Sequence, residues 1–175
     1  TGDGIAEVPD PSGLFLSRSD TAVSGTCVTV ALEGKRALIA EIQALVVKSS
    51  TPQPRRVTNG VDSSRVAMLL AVLERRAGLR LSESDVYVST VGGVKVSEPA
   101  ADLAIALAIA SAIKDQPIPH NVVAFGEISL AGEIRKVNQS KLRQNEANRL
   151  GFTKVVDSTS LQLSKALAKG LDQKS

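Results

Sequence analysis

The chain has 175 residues, 43% of them hydrophobic and 22% charged, enough to bury one core and too few for two comfortable domains. Aromatic residues make up 2% and Trp is absent, so the core must be built from Val, Leu, Ile and Ala, and base stacking on aromatic platforms is a poor route to single-stranded nucleic acid. The net charge of +3 suits an anionic partner without demanding one, while a single cysteine and a single histidine rule out an internal disulfide and the usual zinc ligand sets.

Residues 1–23 are rich in Gly, Pro, Ser and Asp and read as a lead-in ahead of a domain over 24–175; one apolar knot, Gly13-Leu14-Phe15-Leu16, is expected to dock on the body. Two β-rich stretches follow, TCVTVALE and RALIAEIQALVV, joined through Gly34 and Lys35 in a hairpin-like turn. In the second, Ala37, Ile39, Glu41 and Gln43 face one way and Leu38, Ala40, Ile42 and Ala44 the other, so the two are expected to pair antiparallel. Cys27, on the first, reads as a small core filler. KSSTPQPRRVTNG, with two prolines, reads as a loop.

Asp62 then offers an N-cap for a helix whose apolar positions Val66, Leu69, Leu70 and Leu73 recur at helical spacing and which ends near Gly78. A strand, VYVSTV, precedes the pair Gly92-Gly93. The run AADLAIALAIASAI is apolar on nearly every face except at Asp102 and Ser111. It predicts a deeply buried helix, capped by Ser97 and tolerating Pro99 in its first turn. The loop KDQPIPH ends it, and His120 there reads as a surface residue. A strand VVAFGEI, a hairpin around Leu130-Ala131-Gly132, a returning strand EIRKV, a helix over about 140–150, a strand TKVVD and an amphipathic helix LQLSKALAKGL complete the chain. This alternation predicts an α/β or α+β fold with a mixed sheet packed with helices. No apolar run approaches the ~20 residues that span a bilayer, and no basic-then-apolar leader opens the chain. A cytoplasmic protein with no membrane partner is the expectation.

Two segments carry a family resemblance. VYVSTVGGVKVSEPAADLAIALAIASAI and VVAFGEISLAGEIRKVNQSKLRQNEANRLGFTKVVD present a strand, a glycine turn, Pro-x-Ala at the mouth of a buried Ala-rich helix, then Gly-Glu-Ile-x-Leu-x-Gly and a Lys-led helix. This resembles the Lon proteolytic domain, which implies the ribosomal protein S5 domain 2-like fold. PDPSGLFLSR, EIQALV and PRRVTNGVDSSRVAMLLAVLERRAGL are more specifically similar to the C-terminal Lon-protease-like domain of the RadA family of bacterial DNA-repair proteins.

Lon-type peptidases attack with a serine at the mouth of the buried helix, activated by a lysine whose neutral form requires a desolvated site. The resemblance lays the family's Pro-Ser-Ala-Gly segment on Pro99-Ala100-Ala101-Asp102 and its lysine on Lys141. Ala100 has no oxygen to attack a carbonyl, so the dyad is degenerate. Asp102 adds a carboxylate where the family has glycine, which would oppose negative charge developing on an intermediate. Ser97 reads as a helix cap rather than a replacement nucleophile. Lys141, without a nucleophile to activate, reads rather as a solvated surface lysine near a helix start.

From Arg55 to Arg80 there are six arginines against Asp62 and Glu74, a surplus of four positive charges. Arg55, Arg56, Arg65, Arg75 and Arg76 suit phosphate contacts, which need donors without base-reading geometry. An ordinary solvated helix face fits them equally well. The RadA resemblance favours DNA, and Lys95, Arg135, Lys136, Lys141 and Arg143 are further DNA-binding candidates. It also implies a homo-hexameric ring in an ATP-driven branch-migration helicase, with a recombinase or replicative helicase as possible protein partner. No phosphate-loop motif or four-cysteine zinc element is present. No cofactor is expected here; ATP, Mg and Zn are expected only in upstream segments of such a protein. The alternatives are a peptide- or protein-docking module that keeps the peptidase groove, and a residual Ser-Lys-type peptidase.

Overall fold

The structure, a computed structural model, describes residues 23–171; the Gly13–Leu16 knot lies outside them. Its frame is a six-stranded sheet in the order β3-β4-β2-β1-β5-β8. β1 (Thr26–Glu33) turns through Gly34 and Lys35 into the long β2 (Arg36–Lys48), with Thr26 opposite Gln43 and Glu33 opposite Arg36. β2 pairs antiparallel with β4 (Ser84–Thr90), whose outer edge carries β3 (Arg56–Asn59) in parallel. On the other side β5 (Val122–Ala124) runs parallel to β1, and β8 (Lys154–Val156) parallel to β5. The expected α/β fold with a mixed sheet is what forms.

Both faces of β1 and β2 are used at the centre of the sheet. Cys27, Ala31, Ala40 and Ile42 join the main core beneath α2 (Asp102–Lys114). Val30 and Ile39 join a second cluster with Phe125, Ala147 and Phe152 under α3 (Ser140–Arg149). α2 is enclosed between the sheet, α1 (Ser63–Ala77) and α4 (Leu163–Leu171), which is why no polar stripe interrupts it. Gly170 permits the close approach of α4, since a Cβ there would stand 2.5 Å from Leu107 Cδ2. Ser111 is tolerated inside because its Oγ accepts from Gly25 N–H at 2.8 Å and donates to Gln116 O at 2.5 Å. α1 begins and ends as its sequence dictates: the Asp62 carboxylate accepts from Ser64 N–H, and Gly78 closes the helix at φ +72°.

The structure corrects four local expectations. The supposed loop after β2 contains β3, because Val86 N–H donates to Arg55 O at 2.9 Å and Asp85 Oδ1 accepts from Arg55 N–H, recruiting the β-branched Val57-Thr58 to the sheet edge. The strand over VVAFGEI divides at Phe125-Gly126 into β5 and β6 (Glu127–Ile128). Gly126 leaves the sheet to clasp the start of α2, donating to Ala100 O at 2.8 Å and accepting from Leu103 N–H at 3.1 Å. Ser97 is not a cap: a 3-10 turn, Pro99–Ala101, leads into α2, and the backbone of Gly126 satisfies what a capping side chain would have satisfied. The last helix starts at Leu163, two residues late, because Leu161 sits at positive φ.

Candidate functional site

Ala100, held by the Gly126 backbone, lines a cavity of about 390 Å³ together with Leu32 and Gly34 from the β1–β2 turn, Glu98, Glu127, Lys136, Asn138 and Arg143. Ala100, 4% exposed, presents only a methyl group there. Two cations line this cavity, the exposed Lys136 and Arg143, whose side chain is 1% exposed. Its Nη1 donates to Val30 O at 2.7 Å and lies 2.6 Å from Glu98 Oε1; Nε and Nη2 each reach Asn138 at 2.9 Å, through its backbone oxygen and its Oδ1. Glu98 in turn accepts from Leu32 N–H at 3.0 Å. The guanidinium therefore bolts α3 to β1 and to the approach to α2. A guanidinium whose N–H groups are committed in this way offers no acceptor lone pair to a substrate.

Arg143 is thus corrected from a DNA-facing candidate to an internal tie. The signal that could have found it is its spacing: Arg143, Ala147 and Leu150 recur as the inward-facing positions of a helix that is otherwise polar. Glu98 and Asn138 escaped notice because nothing near them in sequence marks them as its acceptors.

Arg65 is also engaged within the fold, though its side chain keeps 24% exposure. Its Nε donates to Asp102 Oδ1 at 3.0 Å and its Nη2 bonds Asp102 Oδ2, while Ile128 N–H donates to the same carboxylate at 3.1 Å. Asp102 is 1% exposed and is satisfied by α1 and β6, so its charge does not face the Ala100 cavity as the sequence suggested. Burial pushes the Asp102 carboxyl above its ordinary value, against the pull of Arg65 and the Ile128 N–H. The same carboxylate holds Arg65 more firmly protonated. Both directions describe one exchange, in which the attraction is strong yet does not fully offset the hydration lost by the buried carboxylate.

Lys141 does not line the Ala100 cavity. It opens with Arg135, Lys136, Ser140, Gln144 and Asp157 on a neighbouring concavity of about 430 Å³, and Lys136 borders both. All three cations are exposed. Asp157, the carboxylate on that wall, is occupied locally, accepting from Thr159 N–H at 3.0 Å and from Thr159 Oγ1 at 2.6 Å. Arg135 ends β7 (Ile134–Arg135), which pairs with β6 to form a small hairpin. Arg76, at the basic end of α1, packs on that hairpin's turn: its Nε donates to Leu130 O at 3.4 Å, and Gly132 lies against its stem. The structure therefore brings the end of α1 to the hairpin that carries Arg135 and Lys136. Arg55, Arg75 and Lys95 are exposed; Arg56 is exposed too, though its guanidinium bonds Leu81 O and Ser84 O.

Residues 62–159, from the Asp62 cap through β8, match the family described as subunit ChlI of Mg-chelatase. The chain belongs to that family. The chain is also similar to DNA repair protein RadA of Salmonella typhimurium, 50% identical over 156 residues, and of Escherichia coli, 49% identical over 156 residues; each match covers 89% of this chain and 34% of the relative. RadA of Mycolicibacterium smegmatis is 51% identical over 154 residues, 88% of this chain and 33% of its own length. The chain thus spans about a third of the length of these relatives. The RadA resemblance read from the sequence is borne out. The ChlI-family match takes in the Lys141 cavity, Arg65, Asp102 and Arg143, and leaves outside it Arg55, Arg56 and the Leu32 and Gly34 wall of the Ala100 cavity. The metal in that family's description finds no ready cage here: among the described residues no group of three or more His, Cys, Asp or Glu is placed to hold an ion. Nor is any helix among them long and apolar enough to cross a membrane.

Proposed function

We propose that this chain is a non-proteolytic, DNA-binding and ring-forming domain of a RadA-type DNA-repair protein. The observation that carries the reading is the concavity lined by Arg135, Lys136 and Lys141, on the hairpin whose turn Arg76 touches. Exposed cations around a hollow suit the phosphates of double-stranded DNA, which require positive donors and no particular base edge. Arg55, Arg75 and Lys95 extend the candidate surface as exposed cations; Arg65 and Arg143 do not belong to it.

Proteolysis at Ala100 is no part of this function. The position has no hydroxyl, and the lysine that the resemblance pairs with it lines a different cavity. In the whole protein the domain would contribute to a hexameric ring of an ATP-driven branch-migration helicase, with ATP, Mg and Zn bound by other segments and a recombinase or replicative helicase as protein partner.

The test is fluorescence anisotropy with a duplex oligonucleotide across a salt series. Lys136→Ala with Lys141→Ala is expected to weaken binding and to reduce the slope of log affinity against log salt by about 1.8, at ~0.9 for each phosphate no longer neutralised. Unchanged affinity and slope would overturn the assignment of this surface. Light-scattering mass with and without the duplex tests the ring.

A further inference from the structure

The hairpin of β6 and β7 carries at its tip an apolar side chain that the core does not use. The two strands are joined through Ser129-Leu130-Ala131-Gly132-Glu133, and Leu130 is 69% exposed, more than any other large hydrophobic residue among those described. The tip is nonetheless held in one place. Ser129 N–H donates to Glu133 O and Gly132 N–H to Ser129 O, both at 2.9 Å, and Glu133 N–H donates to Ser129 Oγ at 3.1 Å. Gly132, at φ +82°, closes the turn and seats it on Arg76, whose Cβ would lie 3.1 Å from a Cβ added to the glycine. Behind the tip Ile128 and Ile134 are buried. Ile128 N–H donates to Asp102, Ile134 N–H donates to Leu161 O at 2.9 Å, and Leu163 N–H donates to Gly132 O at 2.8 Å. Contacts from α1, α2 and the first residue of α4 thus fix a leucine in water.

The surroundings are cationic. Arg76 Nε donates to Leu130 O at 3.4 Å, which stands the guanidinium beside the tip, and Arg75 precedes it in the last turn of α1. The strand returning from the tip runs into the exposed Arg135 and Lys136. From Ser129 to Lys136 the sole carboxylate is Glu133. The buried centre of a protein interface surrounds such a leucine with further apolar area and few charges. DNA accepts the opposite arrangement, in which cations meet phosphates and an apolar wedge enters between base pairs and unstacks them.

We infer that Leu130 is such a wedge: with Arg76, Arg135 and Lys136 on phosphates, it enters duplex DNA where base stacking is weak. This rests on the DNA-binding reading above and adds to it the kind of step on the duplex that the domain favours.

Two duplexes of equal length, one perfectly paired and one with a central thymine–thymine mismatch, test it in anisotropy titrations of the 175-residue chain. Unstacking is easier at the mismatch, so the parent is expected to bind that duplex about tenfold more tightly. Leu130→Ala is expected to bring the two affinities together without changing the melting temperature or the salt slope, and Leu130→Phe, which keeps an apolar wedge, to retain the preference. A 2-aminopurine beside the mismatch should brighten further on addition of the parent and not of Leu130→Ala. A chain that binds neither duplex overturns the DNA-binding reading and the wedge with it. Equal binding of both duplexes, or a preference that survives Leu130→Ala, overturns the wedge alone. A light-scattering mass that falls in Leu130→Ala places the leucine between copies of the chain and also overturns it.

Discussion

Replacing Arg65 with Met separates its two possible roles, a phosphate donor on the surface or a partner to a buried carboxylate. In the structure the substitution strands Asp102, 1% exposed, with the Ile128 N–H as its remaining hydrogen-bond donor. Breaking a buried pair by removing one partner costs ~3–5 kcal/mol. The lower end applies because the Arg65 side chain retains 24% exposure, so water can reach the vacated place. About 3 kcal/mol in a domain of this size lowers the melting temperature by about 6–12 °C. The loss must also depend on pH. Burial already raises the Asp102 pKa, and without Arg65 it rises further above the unfolded value, so the folded state prefers the protonated acid. The penalty is therefore full at pH above the raised folded pKa and shrinks as pH falls through it toward the ordinary carboxylate range. Adding Asp102→Asn, whose amide oxygen still accepts from Ile128, removes the stranded charge and should restore much of the loss at neutral pH. Differential scanning calorimetry of the parent and both variants from pH 7 to pH 4 measures all of this. An Arg65→Met protein as stable as the parent, with weakened DNA binding, would refute the reasoning and return Arg65 to the surface.

Three further outcomes are expected. Ala100→Ser should not yield a peptidase in a fluorogenic casein assay, because Lys141 opens on another cavity, Arg143 is committed to Val30, Glu98 and Asn138, and Lys136, which does line the Ala100 cavity, is exposed where a Ser-Lys dyad needs a desolvated lysine; turnover abolished by Lys141→Ala or Lys136→Ala would show a working dyad. Arg143→Ala empties a fully buried position and leaves Glu98 without its ion-pair partner, so a loss of ~3–5 kcal/mol is expected in urea unfolding, and a near-neutral result would mean that α3 is not tied through it. The Asp62 carboxyl is held below its ordinary value chiefly by the Ser64 hydroxyl and N–H. Its contribution is present above the unfolded pKa and lost as pH falls through the depressed folded one, so Asp62→Asn should flatten part of the acid limb of a stability-against-pH curve.

Much of the architecture was legible because its signals are local. Asp62 and Gly78 bracket α1 by capping chemistry that acts over three or four residues, Gly34-Lys35 joins two alternating runs, and α2 has no polar stripe to expose. The candidate site was legible only in part. Lys136 and Lys141 read as exposed cations and are, but Arg65 and Arg143 read the same way and are not. A charged residue in sequence carries no mark of whether an acceptor waits for it elsewhere in the fold.

The sequence by itself determined the helices, the central hairpin, an aliphatic core and the missing hydroxyl at Ala100, all properties of single residues or short windows. Tertiary structure decided which charges are free. Arg65 meets Asp102 across 37 residues and Arg143 meets the Val30 carbonyl across 113, distances that only the closing of the sheet and the packing of α1 and α3 against it can span. The same closure pulled Gly126 out of its strand to hold Ala100 and drew Val57 into the edge, because backbone N–H and C=O groups removed from water must find partners wherever the fold brings them.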